Sequence, residues 1–199
     1  YLNDQIMASS QWSDAQKETV RDALTVFANN QKVQKAMTAW LGGSSSRPTE
    51  NLKARRPFLF SVMAQVELGK FPKEWESVLT KALANPKFTE STKLAAIGVI
   101  QSRGLRGVDT ALQGIVNDAK ASPALRLGAL SAVVSRVKSV SIGVESFLHA
   151  QHAPAQLATR RSAAARVTGQ LVWTDAQRVG IAKKWMSEAD GLTWPLLLP

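Results

Sequence analysis

Cysteine is absent from this sequence, which excludes disulfide bonds, thiolate metal sites and a cysteine nucleophile. No apolar run approaches the roughly 18 uncharged residues that a membrane-spanning helix requires. Valine and isoleucine are scattered mostly at helical spacing, which argues against a β-sheet. The chain also lacks a glycine-rich phosphate loop and the HExxH and GxSxG motifs. We therefore expect a helical chain that has no catalytic site and binds no cofactor.

Acidic residues are scarce relative to basic ones. The 199 residues include 15 Asp and Glu against 25 Lys and Arg, which gives a formal charge of +10. Such a surplus favours anionic partners, either an acidic protein or a polyanion such as nucleic acid. The basic residues are dispersed as singles and pairs, so composition does not choose between these partners, and simple solubility remains an alternative. Hydrophobic residues make up 45% of the chain, a globular composition.

A repeat is the most informative pattern that is present. Segments 75–83 and 108–116 superimpose at an offset of 33 (108 − 75), and segments 93–97 and 126–130 share that offset (126 − 93). A third copy of the latter begins 34 residues further on, at 160–164 (160 − 126). A fixed period of this size indicates stacked helix pairs. It predicts an all-α fold, an α-solenoid of about ten helices in antiparallel pairs.

We interpret the chain as one domain spanning residues 1–199. It begins at Tyr1 and stops inside an apolar run, so we expect it to be a piece of a longer protein. The predicted parts are N-terminal helices in 1–41, a flexible Gly- and Ser-rich loop in 42–51, the repeats in 52–186, and a truncated C-terminal segment in 187–199.

Capping residues mark where the helices begin and end. Ser13 followed by Gln16 predicts a capping box. Pro57 is placed in the first turn of the third helix, and Gly69 at its end. The first helix is expected to bury a stripe of apolar side chains that includes Phe27.

The chain is rich in tryptophan. Trp40, Trp75 and Trp185 occur at apolar helical phase and are assigned to the core, although base stacking is another use of such side chains. Trp12 and Trp194 lie near the ends of the chain and could pack on neighbouring segments.

The two histidines of the sequence, His149 and His152, lie three residues apart near a predicted helix end. With Glu145 one turn earlier they could form a zinc site, but they lack a supported third ligand. We favour the simpler interpretation, in which imidazoles near a helix C-terminus complement its dipole. We expect no metal.

Three basic residues occupy equivalent repeat positions: Lys93, Arg126 and Arg160, with Arg161 as an alternative register for the last. Stacked second helices would align them in a ladder along a concave face, a candidate site for a protein or polyanion. The alternative is structural. An arginine at such a position can bond an acidic residue of a neighbouring repeat, here Asp109 or Asp118.

Two other basic pairs carry less weight in the sequence. Arg55-Arg56 and Lys183-Lys184 are both interpreted as solvated.

The helix pair that carries residues 122–130 (SPALRLGAL) resembles a HEAT repeat. A narrower resemblance rests on residues 56–63, 68–75, 161–167, Gln177 and 191–199. These look like the HEAT-like region of planctomycete-type putative membrane-bound dehydrogenases or CxxCH haem-binding proteins. In that family a β-propeller precedes the helical region and a c-type cytochrome domain follows it. This segment has no CxxCH motif, so neither haem binding nor dehydrogenase activity carries over to it.

These patterns predict a non-catalytic scaffold or docking module of a larger, redox protein. Its partners would be the flanking domains of the same chain, an acidic protein or a polyanion. The resemblance implies a periplasmic or extracytoplasmic location. One alternative is a HEAT-like nucleic-acid-binding or DNA-glycosylase-type protein, although no carboxylate among aromatic residues can be named for it. A purely structural linker is the other.

Overall fold

A computed structural model of the chain describes residues 12–42, 50–185, 191, 193 and 195. The described residues form ten α-helices and one 3₁₀ turn, with no strand among them, so the predicted all-α class of paired helices is confirmed. The chain divides into two compact units, residues 1–111 and 112–199, and each is described by itself. The assignment of a single domain to 1–199 stays a prediction.

The first unit is built around one long helix, α3, that contacts α1, α2 and, most extensively, α5. Helix α4 packs on both α2 and α5. The largest fully buried side chains include Trp75, Phe60 and Met63. The bounds are α1 (Asp14–Val26), α2 (Gln31–Gly42), α3 (Glu50–Gln65), α4 (Lys73–Ala84) and α5 (Glu90–Arg103).

The second unit is centred on α9, which contacts α7, the 3₁₀ turn and α8. Helix α6 spans the division between the units, since the second unit begins at Leu112. The bounds are α6 (Asp109–Asn117), α7 (Pro123–Val133), the 3₁₀ turn (Val134–Arg136), α8 (Ile142–His152), α9 (Ala158–Gln170) and α10 (Asp175–Lys184).

Several helix ends follow directly from local sequence chemistry. Ser13 and Gln16 form the predicted capping box, in which each side chain bonds the other residue's backbone N–H. Ser122 caps α7 and Pro123 occupies its first turn. Helix α5 ends at Gly104, whose φ of 60° lies in the left-handed region that glycine adopts readily.

The repeat register is confirmed by burial. Ile97, Leu130 and Ala164, which are equivalent in the sequence alignment, are each almost completely buried. Leu79 and Leu112, equivalent at the first offset, are both fully buried. The same phase therefore directs successive helices into the core.

The predicted start of the third helix was wrong. Helix α3 begins at Glu50, so Pro57 lies inside it rather than in its first turn, and the helix ends at Gln65, before Gly69. An interior proline removes one backbone hydrogen bond and costs about 3 kcal/mol. The turn before Pro57 makes tertiary contacts, because Arg55 and Arg56 lie beside aromatic rings of other segments, described below. The predicted loop at 42–51 is shortened accordingly: Gly42 belongs to α2, and 43–49 lie outside the described residues.

Aromatic residues follow the predictions in most places. Trp40, Trp75 and Trp185 are buried, as expected for core residues, and the Trp75 Nε1–H donates to the carbonyl of Gln34 at 3.1 Å. Phe27 is an exception, because it caps the end of α1 and is 54% exposed. Trp194 lies outside the described residues.

Across residues 12–42 and 50–185, no helix combines the length and the apolar character needed to cross a membrane.

Candidate functional site

The predicted basic ladder begins with Lys93, which is half-buried on α5 of the first unit. Arg126, on α7 of the second unit, makes contacts within its own unit. Its Nε–H donates to the carbonyl of Val116 at 3.0 Å, and its guanidinium lies 3.8 Å from the ring centre of Phe147. Burial lowers the pKa of Arg126, and the carboxylate of Asp118 opposes that change. Arg126 thus links the end of α6 with α7 and α8.

The other two ladder residues, Arg160 and Arg161, bond groups of the turn that connects α8 and α9. Arg160 donates to the side-chain oxygen of Gln156 at 2.7 Å. Arg161 donates to the carbonyls of Pro154 and Gln156, each at 3.1 Å. Guanidinium donors that satisfy carbonyls beyond a helix end stabilise that end. These contacts favour a structural role for Arg126, Arg160 and Arg161, although the acceptors are backbone carbonyls and an amide oxygen rather than the expected carboxylate of Asp109 or Asp118.

A cleft of about 410 Å³ lies within the second unit, beside the 3₁₀ turn. The buried side chains of Val116, Leu130, Val133 and Val144 form its floor. Polar and basic side chains form its rim. The lining residues of the rim are Gln113, Asn117, Arg136, Val137, Lys138, Ser139, Val140 and Ser141.

One wall of this cleft, the segment 137–140, is held by the side-chain amide of Gln177. Gln177 is the third residue of α10 and completes a capping box with Thr174. Its Nε2–H₂ group also donates to the carbonyl of Val140 and to the Oε2 of Glu145, both at 3.1 Å. On the opposite side Ser141 caps α8 by accepting from the N–H of Val144. The segment 137–140 is therefore held between α8 and α10.

The electrostatic character of the cleft is one-sided. Arg136 is half-buried and Lys138 is exposed, and none of the described residues that line the cleft is acidic. Arginine and lysine donate charge-assisted hydrogen bonds to carboxylates, while an apolar floor accepts a hydrophobic side chain. This arrangement can bind an acidic segment that carries an apolar anchor. This cleft could not be recognised from the sequence, because its residues come from four separate segments.

Arg55 and Arg56 were expected in solvent, and this prediction was wrong. Both are only 5% exposed. The guanidinium of Arg55 lies 4.3 Å from the ring centre of Trp12, and that of Arg56 lies 4.4 Å from the ring centre of Phe88. Burial lowers the pKa of both arginines.

A signal for this burial existed in the sequence. In a helix that continues upstream of Pro57, Arg55 is four residues before Leu59 and Arg56 is four before Phe60, both of which are core residues. Residues four apart share a helix face. Lys183, by contrast, is exposed as predicted.

His152 has a different role from the predicted one. His152 is buried, and its Nε2 lies 3.2 Å from the hydroxyl oxygen of Thr168. Burial, aided by the proximity of His149, lowers the pKa of His152 to about 4. Its ring is therefore neutral near pH 7 and cannot complement the helix dipole as a cation. Both imidazoles contact the ring of Trp185, with centroid separations of 5.6 and 5.3 Å.

Metal binding has little geometric basis in the part of the chain that the structure describes. There, no three His, Cys, Asp or Glu side chains come together in a group that could hold an ion. The carboxylate of Glu145 instead accepts from Gln177.

Comparisons with protein-family models, with curated proteins and with solved structures found no match for this chain.

Proposed function

We propose that this chain is a non-catalytic helical-repeat module that docks an acidic protein segment, within a larger multidomain protein. The observation that carries the proposal is the cleft of the second unit, where Arg136 and Lys138 border a valine- and leucine-lined floor. Charge complementarity identifies the occupant, because a cleft with two cations and no lining carboxylate attracts anionic side chains. The net charge of +10 favours the encounter with such a partner.

The proposed binding site differs from the predicted ladder. Three of the four ladder residues, Arg126, Arg160 and Arg161, donate hydrogen bonds to groups of their own unit. At the rim of the cleft, Lys138 is exposed and Arg136 is half-buried. Exposed amide and hydroxyl groups at Gln113, Asn117 and Ser139 can pair with the backbone of an extended peptide.

The proposal is tested with a labelled peptide of repeating Glu-Glu-Leu units, titrated by fluorescence polarisation. The double variant Arg136→Gln, Lys138→Gln should weaken binding by about tenfold or more, equivalent to about 1.4 kcal/mol. We expect the melting temperature to change little, because both residues lie at the rim.

The matched control is Lys120→Gln, Lys183→Gln, which removes the same charge from two exposed positions of the second unit outside the cleft. It should alter the affinity less than about twofold, since distant surface charges are screened. Equal losses in the two double variants would attribute binding to net charge and refute a specific cleft.

Binding of duplex DNA tests the alternative function, that of a nucleic-acid-binding protein. Tight binding of duplex DNA that falls steeply with salt, together with weak peptide binding, would favour the nucleic-acid-binding alternative. Within the proposal, DNA should bind weakly and should not displace the peptide at physiological salt.

The wider context is also part of the proposal. The resemblance of residues 56–63 and 68–75 to the HEAT-like region of CxxCH haem-binding proteins supports a redox parent protein outside the cytoplasm. A CxxCH motif in the sequence adjoining this segment would support that context, and a cytoplasmic location of the parent would contradict it.

A further inference from the structure

Arg55 combines deep burial with unused hydrogen-bonding capacity. Its side chain is 5% exposed, and all three guanidinium nitrogens are buried. None of the three donates to an acceptor among the residues that the structure describes. The ion pairs found in the described ranges, which involve Lys17, Arg21 and Arg178, do not include it. The charge of Arg55 is therefore buried without a counter-ion from these residues.

The contact with Trp12 leaves the donors of Arg55 available. Trp12 lies over the guanidinium, 4.3 Å from ring centre to Cζ. An aromatic ring over the guanidinium attracts the positive charge but accepts none of its N–H groups, which lie in the guanidinium plane. The edges of a planar fork match the two oxygens of a carboxylate. A carboxylate is therefore the anion whose shape matches the donors of Arg55.

A second arginine borders the same aromatic pair. The ring of Trp12 meets that of Phe58 edge-on, with centroids 5.3 Å apart, and the guanidinium of Arg21 lies 5.6 Å from the centre of Phe58. Arg21 donates through one terminal nitrogen to Glu18, whereas its Nε is buried without an acceptor in the described part of the chain. Two cations thus flank one aromatic cluster, and Arg21 is paired with the carboxylate of Glu18.

We propose that the Trp12–Arg55 cluster is an anion-binding site of the first unit, and that its ligand is a carboxylate. A buried charge that lacks a partner destabilises a fold, and an apolar residue of similar size often restores that stability. The stability lost by burying the unpaired charge of Arg55 is regained when an anion pairs with its guanidinium. A carboxylate is favoured over phosphate because one negative charge loses less hydration on burial than two.

This site does not depend on the cleft of the second unit. The proposal concerns residues of α1, α3 and the segment before α1, all within the first unit. Its tests are therefore performed in the Arg136→Gln, Lys138→Gln background, so that the cleft contributes no binding. Failure at either site can then be distinguished from failure at the other.

The decisive variant is Arg55→Met, which keeps the length of the side chain and removes its charge. Without ligand, its melting temperature should be higher than that of the parent. Titration calorimetry with a capped oligoglutamate peptide should show at least about a tenfold loss of affinity. A lower melting temperature, or unchanged affinity, would overturn the proposal by assigning Arg55 to the fold alone.

Two controls make these outcomes specific. Arg103→Met removes an arginine of the same unit that donates to the carbonyls of Met63 and Val66, so it should lower the melting temperature. Lys81→Met removes an exposed charge of the same unit and should leave oligoglutamate affinity within about twofold. A comparable loss in Lys81→Met would overturn the proposal.

Inorganic phosphate is the second ligand tested. Weak or absent calorimetric heat with phosphate, beside clear heat with oligoglutamate, is the expected result. Tighter binding of phosphate, lost in Arg55→Met, would overturn the assignment to a carboxylate.

Discussion

Arg126 in the second unit and Arg55 in the first resemble each other closely. Each guanidinium lies over an aromatic ring, at 3.8 Å for Arg126 and 4.3 Å for Arg55, and burial lowers the pKa of both. They differ in burial, since Arg126 is half-buried and Arg55 is buried, and they differ in their acceptors. Arg126 donates to the carbonyl of Val116, whereas the donors of Arg55 have no acceptor among the described residues. Stacking alone therefore does not reveal what a buried arginine does, and the acceptors around its edge decide between a structural and a binding role.

The largest effect that tests this comparison is expected for Arg126→Ala. Its loss removes a hydrogen bond to a helix-end carbonyl, the contact with Phe147 and buried hydrocarbon. We expect the free energy of unfolding in urea to fall by about 3 kcal/mol. Arg160→Ala, which removes a bond to a side-chain amide, should cost less than about 1 kcal/mol. Similar losses in the two variants would show that Arg126 has no special structural role.

Acid should destabilise the second unit more than the first. Both histidines of the sequence lie in residues 112–199, and His152 has its pKa lowered from 6.5 to about 4 by burial. The unfolded chain therefore binds a proton more readily than the folded chain. The stability due to the neutral ring is complete above about pH 6.5 and is lost as the pH falls toward 4.

The expected loss is on the order of 2 kcal/mol in the free energy of unfolding. Amide hydrogen exchange in α8 and α9, measured between pH 6.5 and 4 and corrected for intrinsic rates, should reveal it. Trp185 contacts the ring of His152, and His149 acts on it electrostatically. The control is His152→Gln, which retains a polar partner for Thr168. A variant with undiminished acid sensitivity would exclude His152 as the cause.

The smallest effects are expected at the two capping boxes, one in each unit. Gln16 bonds only its own cap, whereas Gln177 also bonds Val140 and Glu145. We expect Gln16→Ala to cost about 0.5 kcal/mol and Gln177→Ala about 1 to 2 kcal/mol of unfolding free energy. Gln177→Ala should also weaken the binding of the Glu-Glu-Leu peptide, while Gln16→Ala should leave it unchanged. Equal costs with unchanged peptide binding would mean that Gln177 does not position the cleft wall.

Much of the fold could be predicted because it depends on local chemistry. The capping box at Ser13, the Ser122-Pro123 start of α7 and the left-handed end at Gly104 each need only neighbouring residues. The shared burial of Ile97 and Leu130 follows from helical phase and repeat length.

The remaining features depend on distant contacts. The rule that proline begins a helix failed at Pro57 because α3 continues upstream to Glu50, where Arg55 and Arg56 contact the rings of Trp12 and Phe88. The ladder could be aligned from the repeat, but the acceptors of Arg126 and Arg161 lie ten and five to seven residues away, on other elements. The cleft was missed for the same reason, since its wall depends on a bond from Gln177 to Val140, 37 residues earlier.

That bond from Gln177 has a consequence for communication within the second unit. The first turn of α10 and the segment 137–140 share one amide group, so loss of order in α10 releases the wall beside Arg136 and Lys138. Thermodynamic reciprocity requires that an occupant of the cleft lower the equilibrium constant for opening α10 by the same factor by which that opening weakens binding. A domain that docks on α10 would then tune how tightly this module holds its ligand without touching the cleft.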